Sequence, residues 1–168
     1  MPDALITTPA VMSVLSRFGW TPDRTCDVNT WIKDRETVGF VSFPLAELVL
    51  ANLGGLTVKL PGSLTGLEVA PIEVVEFDPT LVSFDSTRVW QNETGLRLFP
   101  LGIVDRQVDL LLSLDGQCYL GFGPLWKNGE NIDDALKNMF FGVKKGEMVW
   151  NPHSPLKFLR GLWLFDRS

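Results

Sequence analysis

The hydrophobic period of this chain changes at Gly54-Gly55, and that change constrains the fold more than any other feature. Upstream, apolar residues recur with a period of about 3.6, as on one face of a helix; downstream they recur with a period of about 2, as in a strand. Thr8 can cap a first helix, Pro9 suits its first turn, and Val11, Val14, Leu15 and Phe18 share one face before Gly19 ends it. A second helix is expected over about 28–37, burying Trp31 and Ile32 and stopping before Gly39. A third, over about 44–52, offers Leu45, Leu48, Val49 and Leu53 to the core.

After the glycine pair, residues 57–60 read as a strand, Pro61-Gly62 as a turn and 72–77 as a second strand. Residues 96–103 form another, which Pro100 places at a sheet edge because proline has no N–H for the ladder. The firmest strand signal is VDLLLSLDGQCYLGF. Val108, Leu110, Leu112 and Leu114 alternate onto one face, and Asp115-Gly116 suits a tight two-residue hairpin with positive φ at both central positions. On the return strand Cys118 and Leu120 face one way, Gln117 and Tyr119 the other. A last helix over about 132–140 can be capped by Asn131, buries Ile132, Ala135, Leu136 and Met139, and stops at Gly142. Helices, then strands, then a helix, without regular βαβ alternation, make an α+β fold: a mostly antiparallel sheet with helices packed on one side. A length of 168 residues suits one domain spanning 1–168.

Charge and chemistry narrow the function. A net charge of −5 argues against a nucleic acid as partner. Residues 1–84 carry ten acids and five bases, whereas 85–168 carry ten of each. Between Leu60 and Thr87 stand Glu68, Glu73, Glu76, Asp78 and Asp85 with no lysine or arginine. Such a field draws basic partners, although charge runs also form ordinary solvated faces. Trp90 in TRVWQNE and Trp126 in GPLWKNGE stand in polar stretches, where a large aromatic either anchors an interface or folds back onto its own domain. His153 is the single histidine, so a catalytic triad would have to use it, and it lies between two prolines in a surface segment. One histidine and two distant cysteines, Cys26 and Cys118, make neither a zinc site nor a disulfide scaffold, and both thiols read as buried apolar residues. No phosphate loop is present, and Asp133-Asp134 reads as first-turn charge favoured by the helix dipole. No catalytic residue, metal or cofactor is expected. With no apolar run to span a membrane and no secretory pattern, the chain is expected to be cytoplasmic.

Several landmarks in order resemble the SUKH superfamily of immunity proteins, in particular its third family. Phe18-Gly19-Trp20-Thr21-Pro22-Asp23-Arg24 is similar to its opening GW-x-P-x-R signature; Trp31, Gly39-Phe40 and Leu53-Gly54-Gly55-Leu56 follow. Phe77-Asp78-Pro79 resembles the acidic-proline element, Phe99-Pro100-Leu101-Gly102 the P-L-G element, and the hairpin at 114–119 and the helix ending at Gly142 complete the series. The resemblance covers about 11–142. It implies a SUKH-like domain that binds and neutralises a cognate toxin in bacterial competition, often a nuclease or a nucleic-acid deaminase of the polymorphic type. The toxin-binding candidates are Glu68, Glu73, Glu76, Asp78, Asp85, Trp90 and Trp126. A homodimer stays open, and so does a general adaptor built on the same fold. Residues 143–168 form an extension in which Ser154 can cap a helix with Leu156, Leu159, Leu162 and Trp163 near one face. It is expected to dock onto its own domain, a second copy or the toxin.

Overall fold

Leu110, Leu111 and Leu112 are each no more than 1% exposed in the computed structural model, which describes residues 4–60, 72–142 and 146–153. Successive side chains of a strand point to opposite faces, so the strand that carries these leucines is covered from both sides. Among the described residues the elements run α1 (Pro9–Ser16), α2 (Asn29–Val38), α3 (Pro44–Leu53), β1 (Thr57–Lys59), β2 (Val74–Glu76), a 3₁₀ turn (Pro79–Leu81) and α4 (Phe84–Thr94). They continue through β3 (Leu98–Val104), β4 (Val108–Ser113), β5 (Cys118–Gly121), β6 (Leu125–Gly129), α5 (Ile132–Phe141) and β7 (Glu147–Trp150). The seven strands form one sheet in sequence order, every pair antiparallel. The fold is α+β. No described helix is long and apolar enough to cross a membrane.

Two glycines show what covers each face. A Cβ on Gly129 would lie 2.5 Å from the backbone of Ala135, so α5 packs directly on β6. Gly129 is opposite Cys118, which is opposite Leu112, so α5 sits on the Leu110–Leu112 side. A Cβ on Gly121 would lie 2.2 Å from the ring of Trp90. Gly121 is opposite Asp109, on the alternate face, so Trp90 brings α4 against the other side of the sheet. Its Nε1 donates to the Gly123 carbonyl (3.0 Å), which satisfies the polar edge of a side chain only 2% exposed.

The start of the chain is tied to α5 by one carboxylate. Asp133 accepts from the backbone N–H of Thr7 and Thr8 (3.2 and 3.1 Å) and from both hydroxyls (3.2 and 2.7 Å). Thr8 occupies the cap position of α1, but its hydroxyl is spent on Asp133 rather than on the helix. Asn131 caps α5 by accepting from Asp134 N–H (2.8 Å), and the Asp134 carboxylate accepts from the N–H of Glu130, the residue before the cap (2.9 Å).

Several details depart from the sequence reading. Helix α3 buries Ala46, Val49, Leu50 and Leu53, while Leu48 is 40% exposed: the buried stripe is turned from the one expected. Strand β3 lies inside the sheet between β2 and β4, not at its edge. A bulge between Pro100 and Gly102 shifts the register there, so the missing N–H does not interrupt the ladder. The hairpin has three loop residues, because Ser113 N–H donates to Gln117 and Gly116 N–H to Ser113; only Gly116 takes positive φ, 88°. Helix α4 and strand β6 occupy stretches read as polar loops, and β7 adds a strand to β6. The helix expected from Ser154 lies outside the described residues.

Replacing Trp90 by alanine is expected to lower unfolding free energy by about 3–5 kcal/mol, as for other buried aromatics. Urea unfolding measures this directly, and a loss below about 1 kcal/mol would show that α4 does not seal this face.

Candidate functional site

The motifs that resemble the family bind one another. Trp20 Nε1 donates to Asn52 Oδ1 (2.9 Å), and the Arg24 guanidinium donates to the carbonyls of Asn52 and Gly54 (2.8 Å each). Asn52 Nδ2 returns a bond to the Arg24 carbonyl (3.1 Å). Arg24 thus satisfies carbonyls at the end of α3 instead of pairing with a carboxylate, as a cation at a helix C-terminus does. The ring of Trp31 lies over Gly54, where a Cβ would come within 2.4 Å. Gly102 has no room either: a Cβ there would lie 1.9 Å from the Glu76 carbonyl oxygen. These residues close the fold.

The acids of the 60–87 stretch are strung along it rather than gathered. Glu73 is exposed just before β2, and Asp105 accepts from its backbone N–H (2.9 Å). Glu76 ends β2 half-buried; three residues from Glu73, it points to the opposite face. Asp78 caps the 3₁₀ turn, one oxygen accepting from the N–H and the hydroxyl of Thr80 (2.9 and 2.6 Å). Asp85 is exposed in the first turn of α4, where the helix dipole favours it. Arg35, 8% exposed, donates to the Val82 carbonyl (2.7 Å) and pairs with Asp34 (2.6 Å), so a cation does sit behind this stretch. Glu68 lies outside the described residues.

The two tryptophans are not loop anchors. Trp90 is enclosed in the domain by α4 and presents no surface. Trp126 lies in β6, half-buried, opposite Leu120 and Met148 on its neighbouring strands.

One residue the sequence reading passed over stands out. Asp109 lies in β4 opposite Ile103 and Gly121, and Ile103 is in turn opposite Glu76. The cross-strand row therefore places Asp109 and Glu76 on one face. Burial pushes the Asp109 carboxyl up to about 6, and it accepts no hydrogen bond and joins no ion pair among the described residues. Its signal in the sequence is a lone acid inside an apolar strand. Perturbed, unsatisfied carboxyls collect at functional sites.

Elsewhere the reagents are few. Burial, reinforced by Asp134, pushes the Cys118 thiol well above its ordinary range, so it is not a nucleophile at neutral pH. Cys26 is half-buried with its sulfur near the Leu50 and Gly54 carbonyls (3.5 and 3.7 Å). His153 is exposed. Among the described residues no group of three His, Cys, Asp or Glu is placed to hold a metal.

The Asp109 carboxyl ionises near its ordinary 3.8 when unfolded and near 6 when folded, so the folded state holds the extra proton between those values. Stability therefore falls as pH rises through that window. Asp109→Asn is expected to raise stability at pH 7 by about 1 kcal/mol, less than the full shift implies because water reaches part of the group. It should also flatten the pH dependence across that window. An unchanged slope in urea titrations at stepped pH would contradict this.

Comparison with known proteins adds one finding: a family model described as SUKH-3 immunity protein matches residues 7–142. No curated protein and no solved structure matches.

Proposed function

The chain belongs to the SUKH-3 immunity protein family, and from that membership we propose that it binds and neutralises a cognate polymorphic toxin inside the producing bacterium. The toxin is a nuclease or a nucleic-acid deaminase, and the chain acts by occupying it, not by chemistry. The family match across 7–142, spanning α1 through α5, carries the reading. Surface charge supports it. Enzymes that act on nucleic acid present basic surfaces to phosphate, and the stretch from Glu73 to Asp85 offers carboxylates to such a surface.

The division of labour follows from exposure. Glu73 and Asp85 reach water and act at long range, steering encounter. Asp109 and Glu76 are half-buried on one sheet face, where a cation from the partner would relieve an unsatisfied carboxyl. Trp126 can contribute its exposed part.

Co-expression with its cognate toxin domain should restore growth that the toxin alone abolishes; continued arrest at equal expression would refute the proposal. In vitro, neutralising Glu73 and Asp85 together should slow association several-fold at low salt while leaving dissociation nearly unchanged. The difference should shrink at high salt, because exposed charges are screened beyond about 8 Å at physiological ionic strength. An association rate indifferent to both salt and these substitutions would remove this stretch from the interface.

A further inference from the structure

At the opposite end of β4 from Asp105 lies a cleft of about 350 Å³, bounded by the β4–β5 hairpin tip, α3, the first turn of α5 and the start of the chain. Leu45, Leu112 and Ile132 line it with apolar surface, and Asp115, Glu130 and Asp133 line it with carboxylates. No lysine or arginine lines it among the described residues. The three acids are not equivalent. Asp133 is held by Thr7 and Thr8, and Glu130 pairs with Lys127 (2.6 Å). Asp115 is exposed and neither accepts a hydrogen bond nor joins an ion pair among the described residues.

Two exposed leucines adjoin lining residues of this cleft along the chain, Leu114 next to Asp115 and Leu48 one turn from Leu45. Leu114 is 49% exposed, although the alternation of β4 puts it on the side of Leu112; the strand ends at Ser113 and leaves it in the turn. Leu48 is 40% exposed and stands one turn from Leu45 on α3, on the same side of that helix. An apolar recess with an unpaired carboxylate at its rim matches a side chain that has an alkyl stem and a cationic end.

We propose that this cleft receives an arginine or lysine carried on a loop of the toxin, its stem against Leu45, Leu48 and Leu114 and its charged end at Asp115. The inference rests on the toxin-binding reading and adds a second contact, separate from the Glu73–Asp85 stretch. The charge argument selects this occupant: a recess whose charged lining residues are all acids, with Asp115 unpaired among the described residues, on a chain of net charge −5, disfavours an acidic segment and favours a basic one. Leucine contacts would slow dissociation, whereas the acidic stretch speeds association.

The test uses the full chain and its cognate toxin domain, with affinity measured for wild type, Asp115→Lys, Leu114→Glu and Leu48→Glu. All three positions are exposed, so thermal unfolding should be unchanged. Each variant is expected to weaken binding by about tenfold or more, mainly through faster dissociation. Wild-type affinity in all three, beside a wild type that binds, overturns the cleft and leaves the toxin reading standing. A wild type that does not bind overturns that reading and the cleft with it. Two further outcomes would also overturn the proposal. One is a chain begun at Ala4 that loses stability while Asp115→Lys binds toxin normally, which assigns the cleft to the chain's own first residues. The other is a dimer abolished by Asp115→Lys with toxin affinity intact, which assigns it to a second copy.

Discussion

A central strand buried on both faces sets the terms for the whole molecule. Leu110 and Leu112 on one side and Leu111 on the other are all withdrawn from water, so each face of the sheet must carry its own cover. Helix α5 covers the first with Ala135 on Gly129, and Trp90 covers the second on Gly121. Both seals need a residue without a side chain beneath them; an added Cβ would force a packed ring or a helix backbone to move. With the central strand consumed internally, the described surface carries charges of both signs and scattered apolar side chains, among them Val41, Leu48, Leu114 and Phe122.

The residues most diagnostic of the family are absorbed in the same closure. Trp20 and Arg24 fasten the loop after α1 to the end of α3, and Gly102 lets β3 approach the Glu76 carbonyl. Asp78, taken from the sequence as partner-facing, also terminates a chain reversal through Thr80. The family pattern thus reports the scaffold. The proposed contacts lie at positions that the pattern leaves free, among them Asp109 at one end of β4 and Asp115 at the other.

Much of the scaffold was legible because its signals are local. Proline in the first turn, glycine at the end and an apolar face between them mark α1 and α5, and alternation marks β4. Helix α4 escaped because only Thr87 and Trp90 of its eleven residues are buried, too few to show a helical period. Its ring nonetheless packs on the second face, which decides between the two alternatives the sequence leaves for Trp90 in favour of folding back onto its own domain. Pro100 was read by its missing donor alone, and the bulge that accommodates it depends on partner strands the local sequence does not describe. Leu48 and Leu114 both fit the expected apolar patterns yet point to water, since periodicity fixes spacing on an element but not where the core ends. Asp109 could have been noticed as an acid within VDLLL. Its unsatisfied state depends on which strands flank it, and that is a tertiary fact.

The proposed neutralisation is stoichiometric: one chain occupies one toxin. A rigid sheet holds carboxylates and leucines at fixed positions, and the described residues offer no metal cluster and no reactive thiol at Cys118. Titrating the purified chain into a fixed amount of its cognate toxin domain, with the toxin's own activity as readout, tests this most directly. Binding predicts activity falling linearly to zero at one chain per toxin, with fully active toxin recovered when the complex is separated under denaturing conditions and refolded. Inactivation by a small fraction of an equivalent, or toxin recovered covalently altered, would contradict the account.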